Sequence, residues 1–405
     1  MKIYGQSFGD IFDSLPWQYK IVVAVGSVFI LFVLVYIPAQ LLRAGIKPPA
    51  VEPLQISSSR QPAAGVFDPS LAYDPRTQTA WMAYTSEEAS QNNVGGKLLH
   101  VRIAKTSAGP GECKKWSQAG GGFEGKPDDL MAPDGQTVFR SGAWRVETPT
   151  LVYDPDDPGR EWKLYAYKYF WAQDPEQTLA VAQHYGVIAY KYATDPAKEW
   201  SAEQWLFSPA PDYPPEPYEQ MILLHLNRLD KSLQNVVAYS RPSAVYKDGA
   251  LVMTLSAFTE GSTPDRVIMI VSRDHGDSWL YVGAPLQKFD LSGMGAYTRL
   301  AGATLIEEGG KVYLAAVLGD VTKPGLGTFI FGFADLSRGI LHRDSKTGAP
   351  AVLRQLPLHS KDSGTLGGGF AAYTEACPFG LLTAEQTRGA ASFQIFKTYK
   401  KPVEK

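Results

Sequence analysis

The segment Asp68-Pro-Ser-Leu-Ala-Tyr-Asp-Pro75 returns with little change as Thr148-Pro-Thr-Leu-Val-Tyr-Asp-Pro155, and the same succession of short strands follows each copy. In the first copy the strands are Ala80-Trp-Met-Ala-Tyr-Thr85 and Lys97-Leu-Leu-His-Val-Arg-Ile-Ala104, ending near Trp116. In the second they are Trp162-Lys-Leu-Tyr-Ala-Tyr167 and Val187-Ile-Ala-Tyr-Lys-Tyr-Ala193, ending near Trp200. Three weaker copies open at Pro242, Gly302 and Phe370, so a unit recurs at intervals of roughly 60 to 95 residues. Aromatic and β-branched runs split by Asp-Pro, Asp-Gly and Gly-Gly predict three or four strands per unit. One such sheet cannot bury both its faces, and repeated sheets packed radially leave no long exposed edge. The expected fold class is therefore all-β, a five-bladed β-propeller over residues 65–400. A chain of immunoglobulin-like sandwiches would space its strands at about 8 to 12 residues and has no reason to repeat an Asp-Pro opening.

Ahead of the repeats, Ile21 to Ile37 is an apolar run interrupted by Ser27, and it continues to Leu42. At 1.5 Å per residue, residues 21–42 are long enough for a hydrocarbon core of about 30 Å, which predicts a single transmembrane helix. A cleaved signal peptide fits less well, because the run exceeds the usual apolar region and no small-x-small site closes it. Residues 1–20 then form a short tail. Residues 43–64, with Pro48, Pro49, Pro53 and Pro62, read as a linker. Lys2 and Lys20 balance Arg43 and Lys47, so orientation rests on the short tail ahead of a large domain, the arrangement of a signal anchor. It puts the domain in the periplasm, anchored in the inner membrane, for a bacterium, or outside the cell otherwise. Cys113 and Cys377 are either a disulfide of an oxidising compartment or two buried thiols.

A net charge of -2 without a basic run removes the footprint of a nucleic-acid binder. The six His include no H-E-x-x-H spacing, and two isolated Cys make no zinc site. Gly120-Gly-Gly122 and Gly367-Gly-Gly369 lack the helix or Lys of a phosphate loop. No metal and no cofactor is expected.

Ser272-Arg-Asp-His-Gly-Asp-Ser-Trp279 resembles the Asp-box of sialidases and other propellers, a turn held by its own Asp and Trp. The unit openings resemble those of the five-bladed glycoside hydrolases of the arabinanase, xylosidase and fructosidase group, over about residues 65 to 400. That resemblance implies carboxylates converging on a central funnel from the innermost strands. Asp68 in Phe67-Asp-Pro-Ser70 then matches the base or nucleophile of blade one, and Glu147 in Val146-Glu-Thr-Pro149 matches the acid. The family usually has a second Asp in blade two and the Glu in blade three, whereas here Glu147 lies in blade two and Ser240-Arg-Pro242 opens blade three. As an acid and base pair across a glycosidic bond, Glu147 would hold the raised pKa and Asp68 would stay ionised. Alternatively Asp68 caps a turn, as Asp74, Asp154 and Asp195 are expected to do. Glu260 and Glu375 are the next acids in line.

Arg145, Arg241 and Arg299 sit within a few residues of an innermost strand. They resemble the arginines that clasp a substrate carboxylate in sialidases, a task suited to the guanidinium fork. Tyr373-Thr-Glu375 resembles the Tyr and Glu partners of a sialidase nucleophile, although sialidases generally have six blades. The implied glycan is acidic; the alternative for each arginine is a salt bridge. Trp144, with Tyr165, Tyr167, Tyr169, Phe170 and Trp171, is either a sugar-stacking platform or inter-blade core. The loop from Pro211 to Tyr218 is expected to lean over one end of the funnel. The functional expectation is a membrane-anchored glycoside hydrolase acting on a cell-envelope or exported polysaccharide. Its rival is a non-catalytic propeller that recognises carbohydrate or docks a protein in an envelope assembly.

Overall fold

The computed structural model describes residues 2–3, 6–7, 53–57, 65–89, 97–107, 113–173, 178–210, 212, 214–261, 263–295, 297–320, 327–358, 366–367, 371–386 and 393–403. The chain divides into two units, Met1–Ala50 and Val51–Lys405. In the first, β1 (Lys2–Ile3) pairs antiparallel with β2 (Gln6–Ser7). The expected membrane helix, residues 21–42, lies outside the described residues, among which no helix is long and apolar enough to cross a membrane. The expected linker is in part strand: β3 (Ile56–Ser57) pairs with the first blade, and Leu54 is buried.

The second unit is all-β and propeller-like, with four complete blades. The first blade runs β4 (Gly65–Asp74), β5 (Thr79–Ala89), β6 (Lys97–Ser107) and β7 (Trp116–Phe123). The second is extended: β8 (Lys126–Met131), β9 (Val138–Tyr153), β10 (Trp162–Ala172), β11 (Val187–Ala193), β12 (Gln204–Ser208) and β13 (Ile222–His225), with helix α1 (Thr178–His184) after β10. The third is β14 (Ala238–Lys247), β15 (Ala250–Phe258), β16 (Arg266–Ser272) and β17 (Leu280–Gln287). The fourth is β18 (Arg299–Glu308), β19 (Lys311–Gly319), β20 (Thr328–Asp335) and β21 (Ile340–Leu341), with β22 (Val352–Leu356) also on β20. A further three-stranded sheet holds β23 (Leu366–Gly367), β24 (Leu382–Gln386) and β25 (Gln394–Lys397). The inner strands touch in chain order, β4 to β9 to β14 to β18, and β24 packs back on β4.

The recurring Pro-Ser or Pro-Thr has a physical reason. An inner strand has a free edge whose amides the sheet does not satisfy. The Ser70 hydroxyl accepts from Leu151 N at 2.9 Å, Thr150 from Ala244 N at 3.0 Å and Ser243 from Leu305 N at 2.8 Å. Each of the first three blades thus caps one edge amide of the next, while in the fourth the Thr304 hydroxyl donates to Ala371 O at 2.9 Å. The strand period changes just before these residues, between Phe67 and Ser70 and between Ser240 and Ser243, and at the matching place in β9 and β18. Such bulges re-aim the residue they release.

At the other end of the strands a second girdle reaches backwards. Arg76 of the first blade lies 5.1 Å from the Tyr153 ring, the Tyr246 hydroxyl donates to Asp156 of the second blade, and Glu307 pairs with Lys247 of the third at 3.0 Å. Tyr373 donates to Glu308 of the fourth at 3.4 Å. Apolar cores fill the gaps: Trp81, Ile103, Trp162 and Leu164 between the first two blades; Tyr165, Tyr239, Met253 and Trp279 between the next two; Met269, Leu286, Phe329 and Phe331 beyond. Each fully buried aromatic or aliphatic side chain contributes about 1.5 to 3 kcal/mol by leaving water.

Ser272 to Trp279 forms the turn after β16. Asp274 accepts from Ser278 N at 2.9 Å, Trp279 Nε1 donates to Gly276 O at 3.0 Å, and Gly276 takes φ 103°. Asp74, Asp154 and Asp195 accept from the amides of Arg76, Asp156 and Ala197. Closure combines first and last segments: Leu54 N donates to Ile395 O at 2.8 Å, and Cys113 is disulfide-bonded to Cys377, with 5.6 Å between Cα atoms.

Candidate active site

Three of the four bulges hold a left-handed residue, Asp68 at φ 49°, Thr148 at 52° and Arg241 at 55°, each directly before a proline. Left-handed backbone costs a non-glycine residue on the order of 1 to 3 kcal/mol, most clearly a β-branched one such as Thr148. Three in a row at one level of the channel mark a place where side-chain direction outweighs backbone comfort. Register alignment also shows that Thr148, not Glu147, stands where Asp68 stands in its blade. Glu147 comes one residue earlier, opposite Tyr167.

Asp68 is 7% exposed. Thr85 Oγ1 lies 3.5 Å from its Oδ2 and accepts from Thr148 N at 3.0 Å, so one hydroxyl joins the first two blades. Burial, then the charge of Glu147, pushes the Asp68 carboxyl up to about 8, against the opposing effects of Arg241, Thr85 and the Thr148 amide. The Glu147 carboxyl is also raised by burial, but Arg241 and then Arg145 pull it back, and Tyr169 OH donates to it at 3.4 Å. The raised pKa expected from sequence for Glu147 alone is therefore shared: burial raises Asp68 as well, while the two guanidinium groups favour the ionised form of Glu147.

Arg241 Nη1 donates to Ala301 O. Arg145 is stacked on Trp171, 4.1 Å from ring centre to guanidinium carbon. Arg299 is exposed at the first residue of β18 and is not among the charges that shift Glu147. Trp144 is 4% exposed and packs on Phe170, Trp205 and Tyr218 at 5.4, 5.2 and 5.9 Å, with Lys168 5.4 Å from its ring. Its faces are covered, so the reading of a sugar platform gives way to core. Tyr373 and Glu375 are not brought to the pair: they lie at the far ends of the inner strands, Tyr373 in the backward girdle and Glu375 accepting from Gly309 N. Glu260 is exposed in the bend after β15. The described part of the proline loop lies on the second blade, where the Tyr218 oxygen accepts from Met131 N at 3.1 Å.

Sequence reasoning missed Thr85, and named Tyr169 as a sugar platform or core rather than as the partner of Glu147. Strand pairing was the available signal, since Phe67 and Glu147 register with Thr85 and Tyr167. The buried hydroxyls of Thr148, Ser240 and Ser256 have no protein partner, and Ser240 and Ser256 pair across β14 and β15. Buried hydroxyls of this kind are places for ordered water or a ligand hydroxyl. Asp154, Asp157 and His275 offer ligand atoms within 4.8 Å of one another. The fully buried Lys163 ammonium already pairs with Asp157, and with Asp154 at 3.3 Å, so the counter-charge is supplied.

No family model and no curated protein matches the chain. Among solved structures, the chain is similar to Zg3597, a family 117 glycoside hydrolase of the marine bacterium Zobellia galactanivorans, at 11% identity and TM-score 0.47, covering 88% of this chain and 91% of that one. A glycosyl hydrolase from Bacteroides ovatus matches at 10% identity and TM-score 0.46, over 82% and 83%. The catalytic domain of the Coprinopsis cinerea GH62 α-L-arabinofuranosidase matches at 11% and 0.43, over 85% and 94%.

Proposed function

We propose that the chain is a carbohydrate-active five-bladed propeller, the β23–β25 sheet being its fifth blade and Ser272–Trp279 an Asp-box, and that Asp68 and Glu147 cleave a glycosidic bond. The observation that carries this is the pair itself: two carboxyls from adjacent blades, Asp68 buried and Glu147 half-buried, both raised by loss of water, with Glu147 raising Asp68 further and two arginines acting on Glu147. Asp68 donates its proton to the leaving oxygen. Glu147, whose ionised form the two arginines favour, serves on the other side of the bond as base or nucleophile. Arg145 and Arg241 favour a carboxylated sugar, so the substrate is an acidic polysaccharide of the cell envelope or an exported one. The disulfide supports an oxidising, extracytoplasmic location, and the apolar run 21–42 supports a membrane anchor.

The test is reducing-end release from acidic and neutral polysaccharides by the full-length chain. Asp68→Asn and Glu147→Gln should each lower turnover about 10²- to 10⁴-fold with binding retained. Release that survives both substitutions overturns the assignment. One observation favours the rival, a non-catalytic glycan-binding propeller: Arg241 fills in blade three the place that Asp68 fills in blade one. Binding without turnover, weakened by Arg241→Ala, would establish that reading.

A further inference from the structure

A cavity of about 1080 Å³ runs along the inner strands beyond the bulges, and neither Asp68, Glu147 nor Arg241 lines it. It starts at Pro69, Pro149 and Ser243 and opens at the opposite ends of the strands, among Tyr73, Tyr153, Tyr246, Glu307, Glu375 and Tyr399. Its size lies at the upper end of about 300 to 1,000 Å³ typical of ligand sites.

Three features of its wall point to one ligand chemistry. Strands β4, β14 and β18 end their sheets, and the second half of β9 runs past β8, so free backbone edges face the cavity. Among the described residues, side-chain hydroxyls cap the Thr148, Leu151, Ala244 and Leu305 amides and the Ser243, Ala244 and Ala371 carbonyls; edge groups beyond these suit water or a ligand rich in donors and acceptors. Second, Tyr73, Tyr153 and Tyr246 are only partly buried and Tyr399 is 44% exposed, leaving aromatic surface at the mouth. Third, the charges at the mouth do not favour an anion: the charged lining residues are Glu307, Glu375 and Lys401, and nearby Lys247 is paired with Glu307. Aromatic surface, carboxylate acceptors and unpaired backbone groups without excess positive charge suit a neutral polyhydroxyl ligand.

We propose that this mouth is a second saccharide site, taking a neutral oligosaccharide and separate from the carboxylate pair at the other end of the channel. It does not depend on catalysis by Asp68 and Glu147.

The test is calorimetric titration of the full-length Asp68→Asn/Glu147→Gln variant with cellohexaose, maltohexaose and mannohexaose. At least one should bind saturably, and Tyr399→Ala and Glu375→Gln, both at exposed positions, should each weaken it about 3- to 10-fold with the thermal midpoint unchanged. The proposal is overturned if none of the three saturates at millimolar concentration, or if affinity is indifferent to both mouth substitutions. It is also overturned if binding by the unsubstituted chain vanishes in the double variant, since the sugar then sits at the carboxylate pair. Turnover assays of the unsubstituted chain fail or succeed independently of these results.

Discussion

Asp68 and Arg241 occupy the same place in the first and third inner strands, both left-handed and both before a proline, and the Arg241 charge lowers the pKa of the Asp68 carboxyl that burial raises. The guanidinium is the leading influence opposing burial at both acids. Arg241→Ala should therefore raise both pKa values. The acid limb of the pH–rate profile, which follows ionisation of Glu147, should move to higher pH, and Arg241→Lys should restore part of the shift. An unmoved profile would show that Arg241 does not act on the pair.

Asp68 also ties stability to pH. Its folded pKa, about 8, lies above the ordinary value of 3.8. Between these values the folded chain keeps a proton that the unfolded chain releases, so stability falls as pH rises through that window and levels off above it. Glu147, also raised, acts in the same direction. Asp68→Asn cannot ionise, and its advantage over the parent should grow from pH 4 to pH 8, to on the order of a few kcal/mol. Thermal midpoints of both proteins across that range decide it; a constant gap would mean that Asp68 is ionised in the fold.

The fold was legible because the repeat is physical. Asp-Pro turns at Asp74 and Asp154 and the Pro-Ser and Pro-Thr edge caps recur for the same reasons in each blade. The site was half legible. Asp68 and Glu147 stood out as carboxylates before proline, but a bulge decides which residue turns inward, and sequence spacing hides that Thr148 rather than Glu147 matches Asp68. Trp144 was ambiguous because an aromatic beside a charge reads alike on a cleft wall and in a core, and only its burial, at 4% exposure, separates the two cases.

The edge caps make a stability prediction of their own. Ser70→Ala, Thr150→Val and Ser243→Ala each strand one buried amide of the next blade, at a cost of about 1 to 3 kcal/mol. Chemical denaturation should rank all three below Thr137→Ala, whose hydroxyl serves an exposed turn.

Cys113 and Cys377 join the first blade to the last sheet across 264 residues. Closing so long a loop restricts the unfolded chain, and a Cys113→Ser/Cys377→Ser double variant should lose on the order of 2 to 5 kcal/mol. Non-reducing mass analysis should find no free thiol in the parent. Two titratable thiols in the folded protein would remove the cross-link from the account.

Lys163 is fully buried between Asp157 and Asp154, and His275 of the third blade reaches Asp154 at 3.0 Å while Arg160 reaches Asp277 at 2.8 Å. The second blade's Asp-Pro turn and the turn after β16 are thus joined by His275 on Asp154 and Arg160 on Asp277, with the buried ammonium holding Asp154 and Asp157 in place beneath them. Removing only the ammonium leaves Asp154 with the His275 ring and Asp157 with the half-exposed Arg160, so Lys163→Met should cost about 3 to 5 kcal/mol. Replacing the whole group, Lys163→Met with Asp154→Leu and Asp157→Leu, should recover much of that loss, because ions are costly to bury even when paired. If the single variant unfolds no more easily than its parent, the ammonium does not support the link between these blades. If the triple variant stays as weak as the single one, the carboxylates hold the turns through their amide bonds, and the ion pair only follows.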